Sequence, residues 1–326
     1  RRIIQLGNFM KIGFIGLGNV GGKLAGSLLR NGFLLKVNDL NPETAQDLIE
    51  KGAAWADTPM KLAESSDLII TCLPSPHVVR EVMESRNGVL EGFQKGSVWM
   101  EMSTTDEQEI RRLGEKVEQI GGTALEAPVS GGCHRAVTGN ISIFVGGQRV
   151  GFDRVFTALQ AMGRKILYVG PLGSASALKV VTNYLASAHL AALGEALMVC
   201  KLTGIDLTTA YKGIRISSGN SFVHETESQV ILNGSYNINF TMDLVCKDTG
   251  LFDALGKRLG IPLELSPKIV EIFEDGRKRY GDRAWSSMIV RRLEEACSTN
   301  LREPGFPDEL IDSSPEVKGE EVHIHG

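Results

Sequence analysis

The chain has 326 residues, 42% of them hydrophobic and 23% charged, with a formal net charge of −4. That length allows two domains with cores of their own, and the apolar content excludes a chain dominated by disorder. A near-neutral body with no basic stripe argues against nucleic acid or an anionic membrane as partner, and no uninterrupted apolar run reaches the roughly 18 residues that span a bilayer.

Residues 1–9 precede Met10 and are expected to lie outside the fold as a flexible terminus. Their lack of a long apolar core makes a cytoplasmic location the expectation. Five scattered cysteines (Cys72, Cys133, Cys200, Cys246, Cys297) form no C-x-x-C pair and have no histidine at metal-ligand spacing, so they read as reduced thiols and no metal site is expected.

The first strand is expected at 11–15, and the turn behind it reads Gly16-Leu17-Gly18-Asn19-Val20-Gly21. This G-x-G-x-x-G spacing suits a pyrophosphate. Gly16 permits the tight turn, Gly18 lets backbone approach the phosphates, and Gly21 lets the next helix pack close to the strand. That helix, expected over 20–31 and stopped by Gly32, aims its N–H groups and positive end at the anion. A second strand at 34–38 delivers Asp39 about 20 residues on, where a carboxylate accepts ribose hydroxyls and repels a 2′-phosphate.

Further strands are expected at 68–72, 97–101, 123–127, 141–145 and 166–169, alternating with helices in the grammar of a doubly wound sheet. The run Asp67 to Cys72 is apolar enough to be buried on both faces, and it ends in Leu73-Pro74, at the edge where such sheets bind ligands. Leu125 to Gly132 reads LEAPVSGG. Ser130 offers a hydroxyl, and Gly131 and Gly132 can present bare N–H groups to a carboxylate, although a plain turn would look the same. His134, just beyond, reads as a loop histidine, since nothing near it in sequence orients it.

From 173 to 298 the pattern is all-helical. Helices are expected over 174–202, 206–216, 220–230, 243–259, 263–280 and 285–297, with breaks at Gly219, Gly234, Gly260-Ile261-Pro262 and Gly281. Lys179 and Asn183 stand four residues apart, hence on one helix face, and can share a small ligand. Hydride transfer from a hydroxyl carbon requires a group that takes the hydroxyl proton, and Lys179, flanked by Ala and Val, is the candidate acid/base; a solvated surface lysine is the plain alternative. Lys247 sits early in a helix, where a base is not needed for the helix dipole, and is a candidate for meeting a carboxylate or the cofactor. The Ala-rich stretch 174–202 is more apolar than one small domain needs, so a homodimer or homotetramer is expected. The stretch from Leu301 carries seven acids against Arg302 and Lys318. Residues 299–326 are therefore expected to be a poorly ordered tail.

GFIGLGNVGGKLAGSLL, APVSGG, GPLGSASALKVVTN and KDTGLFDA, in this order, resemble the four motifs of the beta-hydroxyacid dehydrogenase family. The resemblance implies an N-terminal Rossmann-type α/β domain over 10–172 and an all-α substrate and dimerisation domain over 173–298. It implies NAD(H), favoured over NADP by Asp39, held by Gly16 to Gly21 and Asp39, with Leu73, Pro74 and Thr104 lining the nicotinamide side. Ser130, Gly131 and Gly132 would grip a small carboxylate substrate, Lys179 would be the acid/base, Asn183 would orient the substrate, and Lys247 would close the site. The chain departs from the family pattern at Ala175, where glycine is usual, and at Cys133-His134; Ser217 to His224 matches no assignable pocket sequence. The expected activity is interconversion of a small 3-hydroxy acid and its semialdehyde or keto acid. The alternatives are a noncatalytic dinucleotide-binding scaffold, or a reductase of an imine or phosphorylated sugar acid.

Overall fold

The computed structural model describes residues 10–323, so the expectation for residues 1–9 lies outside the described residues. The chain begins β1 (Lys11–Ile15), α1 (Gly21–Arg30), β2 (Leu34–Asn38), a 3-10 turn (Pro42–Ala45), α2 (Gln46–Glu50), β3 (Ala54–Trp55), α3 (Pro59–Ala63) and β4 (Leu68–Thr71). It continues through α4 (Pro76–Glu84), α5 (Val89–Gly92), β5 (Val98–Glu101), α6 (Glu107–Gln119), β6 (Thr123–Glu126), β7 (Val129–Ser130), α7 (Cys133–Val137), β8 (Ile141–Gly147), α8 (Arg149–Met162) and β9 (Gly163–Gly170). Helices follow: α9 (Ser174–Leu202), α10 (Leu207–Arg215), α11 (Phe222–Asn233), α12 (Met242–Arg258), α13 (Leu265–Tyr280), a 3-10 turn (Ser286–Val290) and α14 (Arg291–Ala296). The last element is β10 (Glu320–Glu321).

The strands form one sheet in the order β10-β9-β8-β6-β5-β4-β1-β2-β3, with β7 paired to β8. It is parallel-dominated; β8 runs antiparallel to β6 and β7. Strand β1 lies between β2 and β4, so the chain leaves it in one direction and returns on its other side. Such a switch point opens a crevice at the strands' carboxyl ends, and the glycine turn sits there. Side chains alternate across the sheet as a period of two demands. Ile12, Phe14, Leu68, Ile70, Val98 and Met100 join one buried cluster with Leu24 and Leu28 of α1. Ile15, Ile69 and Trp99 join another with Leu62 of α3 and Leu113 of α6. Each such side chain, fully buried, contributes about 1.5–3 kcal/mol.

The chain divides into two compact units: residues up to Lys179 together with those from Asp312, and residues Val180–Ile311. The division therefore falls inside α9, beyond the boundary expected at 172. The second unit has its own core, in which Leu190, Leu193 and Leu197 of α9 meet Val245 of α12 and Phe273 of α13. Among the described residues α9 is long and apolar enough to cross a bilayer by length and composition. It nevertheless carries Lys179, Asn183, His189 and Glu195, and its later turns are packed into this core. The helix expected over 285–297 is a 3-10 turn followed by a short α-helix.

The tail differs most from expectation. Leu301 is fully buried and donates its N–H to Glu294, and β10 pairs in parallel with β9. Several of the acids that suggested disorder have partners: Glu316 meets Arg30, Glu320 meets Lys165, and Glu321 takes both Nη groups of Arg149. Composition counts these charges without the cations that face them only in the folded chain.

Candidate active site

The glycine turn is built by close approach. At Gly16 φ is +95°, and a Cβ there would stand 2.2 Å from the Cys72 carbonyl oxygen and 3.0 Å from Leu73 Cδ2. A Cβ on Gly21 would lie 2.0 Å from the Gly16 carbonyl oxygen. Gly18 differs: its missing Cβ would meet nothing within 4 Å. The surface over Gly18 and Asn19 is open, and both are exposed. Val20, at the N-cap of α1, gives no side-chain hydrogen bond, and since Gly22 N and Lys23 N already donate to Gly18 O and Val20 O, the N–H groups before Gly22 are the ones that suit an anion. Asp39 braces the turn, its Oδ2 accepting from Leu17 N (2.7 Å) and its Oδ1 from Asn41 N (2.9 Å). Each oxygen keeps a second lone pair for a ribose hydroxyl. Open backbone, an uncapped helix start and an acid at the end of β2 fit a dinucleotide.

The neighbouring loops hang on a buried carboxylate. Glu101, at the end of β5, accepts from Thr71 Oγ1 (2.6 Å) and from Ser103 N (2.6 Å), and Ser103 Oγ accepts from Leu73 N (2.6 Å). Trp99 Nε1 donates to Thr71 Oγ1 (2.9 Å). This chain of bonds ties the Leu73-Pro74 loop to the Ser103-Thr104 loop, at the same sheet edge as Gly16.

Ser130 lies in β7, opposite Ser142 of β8, and Gly131 and Gly132 follow with φ of +124° and +90°. Such angles strain any side chain with a Cβ, which is why glycine occupies both positions. One residue before this motif's Ala-Pro, Glu126 ends β6 and is fully buried. Its Oε1 accepts from Gly173 N (2.6 Å) and Ala175 N (2.8 Å), and its Oε2 accepts from Ser176 N (3.0 Å) and from Ser176 Oγ. With Ser174 N bonded to Pro171 O and Ala177 N to Gly173 O, every N–H at the start of α9 is satisfied. Burial pushes the Glu126 carboxyl upward, and the bonds from Ser176, Ala175 and Gly173 only partly offset it. Lys179 follows Ser176 by three residues and is 7% exposed. It is not the solvated surface lysine of the alternative reading.

In the second unit, Asn183 Nδ2 donates to Asp248 Oδ2 (2.5 Å). Lys247 Nζ lies 3.0 Å from Asp248 Oδ1, an ion pair rather than an aligned hydrogen bond. Asp248 is 2% exposed. It joins Asn183 of α9 to Lys247 of α12 and fixes the rotation of the Asn183 amide.

The candidate residues thus fall into three groups: Gly16 to Gly21 with Asp39 and Leu73; Ser130 to Gly132, next to the strand that anchors the start of the Lys179 helix; and Asn183 with Lys247. Pro74 and Thr104 stand in the loops that Ser103 ties together. Three buried acids were not singled out from sequence: Glu101, Glu126 and Asp248. Their common signal is an acid closing an otherwise apolar strand or sitting on the buried face of a helix, a place that only a partnered carboxylate tolerates. His134, read as a loop residue, lies in α7, where burial holds its ring below the usual histidine range.

A family model described as the NAD binding domain of 6-phosphogluconate dehydrogenase matches residues 11–170, and one described as NAD-binding of NADP-dependent 3-hydroxyisobutyrate dehydrogenase matches residues 173–293. The chain is 33% identical over 293 residues to 2-(hydroxymethyl)glutarate dehydrogenase of Eubacterium barkeri, covering 90% of this chain and 97% of that one. It is 31% identical over 292 residues to 2-hydroxy-3-oxopropionate reductase of Escherichia coli, covering 90% and 100%. Among solved structures, 3-hydroxyisobutyrate dehydrogenase from Salmonella typhimurium superimposes with a TM-score of 0.80 at 27% identity, over 87% of this chain and 99% of that one.

Proposed function

The chain belongs to the beta-hydroxyacid dehydrogenase family and is an NAD(P)-dependent oxidoreductase of small hydroxy acids, and from that premise we propose that it interconverts a small 3-hydroxy acid and its semialdehyde or keto acid with Lys179 as general acid/base. When bound, the nicotinamide takes up or supplies the hydride. Lys179 takes the substrate's hydroxyl proton as the hydride leaves, or returns it in reduction. Asn183, its amide held by Asp248, orients the reacting oxygen. Ser130 and the N–H groups of Gly131 and Gly132 bind the substrate carboxylate, and Lys247 adds positive charge toward an anionic ligand. Gly16 to Gly21 and Asp39 hold the dinucleotide, with Leu73, Pro74 and Thr104 on the nicotinamide side. Asp39 favours NAD, because a 2′-phosphate beside a carboxylate is repelled.

The observation that carries this reading is the burial of Lys179 five residues past the start of a helix whose first turn is locked by Glu126. A lysine is rarely buried without a task, and a locked first turn gives it a defined position. The test is a panel of short hydroxy acids and aldehyde acids with NAD(H) and NADP(H), followed by absorbance of the reduced nicotinamide. Turnover of a 3-hydroxy acid with NAD is the expected result. Turnover confined to imines, or none with any acid, would overturn the assignment.

A further inference from the structure

The family match ends at residue 293, yet the chain beyond it is bound to the segment that follows the substrate glycines. Asp312 Oδ2 accepts from Thr138 Oγ1 (2.5 Å) and Asn140 Nδ2 (2.8 Å). The same Asn140 amide reaches Ser314 O (3.2 Å) and Pro315 O (3.3 Å). Glu316 accepts from Arg30 Nε (3.2 Å) and Asn31 Nδ2 (3.1 Å), and Arg30 Nη2 donates in turn to Val137 O (2.8 Å). Val137 and Thr138 close α7, the helix that starts directly after Gly132. Arg30 closes α1, the helix that starts at the glycine turn.

Helix α7 needs such a clasp. It has five residues, and its N-cap Gly132 offers no side chain. A helix this short does not hold itself in water. The clasp is itself bolted down at its far end. Strand β10 pairs with β9, Gly319 N donates to Gln160 O (3.0 Å), and Arg149 grips Glu321 at 2.6 and 2.8 Å while lying over the Phe152 and Tyr168 rings. Burial opposes ionisation of Asp312, but the bonds from Thr138, Asn140 and Ser314 outweigh it and hold the carboxyl below the usual carboxylate range. It is therefore an anion at neutral pH.

We propose that Asp312 and Glu316 are positioning residues for substrate binding: by clasping the end of α7 onto α1 they hold Gly131 and Gly132 in the conformation that presents their N–H groups to the substrate carboxylate. The proposal rests on the carboxylate-binding role given to those glycines above. The contacts of both acids run to the end of α7 or to the end of α1 that holds it, so each acts through α7.

The test compares the 326-residue chain with Asp312→Ala, Glu316→Ala and the conservative Asp312→Asn. Three readouts are taken: steady-state kinetics with the best acid from the panel, NADH affinity by fluorescence, and amide hydrogen exchange over 129–140. Asp312→Ala is expected to raise KM for the acid about tenfold, leave kcat and the NADH Kd within about threefold, and speed exchange at 131–140. Asp312→Asn keeps an acceptor for Thr138 and Asn140 and should recover most of the KM. An unchanged KM with only a lower melting temperature would mean a structural brace and would overturn the proposal, as would unchanged exchange. If the wild-type chain turns over no acid, the functional reading fails separately. The clasp is then decided by calorimetric binding of malonate with NADH present, which Asp312→Ala should weaken about tenfold and which an equal affinity would refute.

Discussion

Replacing Glu126 removes the acceptor that organises the start of the Lys179 helix, and the cost can be worked from its contacts. Glu126→Ala leaves the N–H groups of Gly173, Ala175 and Ser176 without the carboxylate they now share, in a fully buried place. Losing one capping acceptor costs about 0.5–2 kcal/mol, and each buried donor left unmade costs about 1–3 kcal/mol. Water entering the vacated space repays part of this, so a destabilisation of about 3–5 kcal/mol is expected. Glu126→Gln keeps Oε1 for Gly173 and Ala175 and turns an NH2 toward Ser176 N, and should cost about 1–2 kcal/mol. The assay is chemical denaturation followed by tryptophan fluorescence, since Trp99 is buried in the same unit. Turnover is measured in parallel, because fraying of the first turn displaces Lys179, and kcat should fall in the order wild type, Gln, Ala. An Ala variant within about 0.5 kcal/mol of wild type would refute the claim that this carboxylate locks α9.

Asp248→Ala frees the Asn183 amide and leaves Lys247 without its ion pair; one charge-assisted hydrogen bond is worth about 1.5–3 kcal/mol, so kcat/KM should drop about ten- to a hundredfold, and an unchanged value would remove Asp248 from the account. Asp39→Ala should weaken NAD about tenfold and shift the ratio of kcat/KM for NAD over NADP toward NADP, while a constant ratio would contradict the discrimination given to that carboxylate. Hydrogen bonds from Arg112 hold Glu84 and Glu109 down to about 2 from an ordinary 4.5. Their stabilisation is therefore present above about pH 4.5 and lost as pH falls toward 2, so the melting-temperature gap between wild type and Arg112→Met should shrink across that window; a constant gap would deny the linkage. Leu185, Val199 and Leu202 of α9 are exposed in the single chain, so sedimentation at micromolar concentration should give a dimer or tetramer, and a monomer alone would count against assembly through α9.

Much of the cofactor half was legible because its rules are local. A glycine needing positive φ and an acid at the end of the next strand are written within about thirty residues of one another, and the apolar run from Asp67 to Cys72 shows its burial on both faces by itself. The four-residue step from Lys179 to Asn183 likewise follows from helical period. What sequence did not disclose depends on meetings between distant segments. Glu126 looks like any strand-end acid until Gly173 to Ser176 are brought against it, and Asp248 shows its use only when α12 lies beside α9. Strands β7 and β10 have two residues each, too few for alternation to register. The tail was misread for the same reason: Glu316, Glu320 and Glu321 look like solvated charge until Arg30, Lys165 and Arg149 face them.

The account as a whole turns on Lys179. The direct measurement is turnover of the preferred hydroxy acid by Lys179→Ala and Lys179→Met, alongside NADH binding to the same variants by fluorescence. The account predicts a fall in kcat of about a hundredfold or more, in the range of a lost general acid/base, with NADH affinity within about twofold of wild type. Turnover near the wild-type level, with its pH profile unchanged, would contradict it.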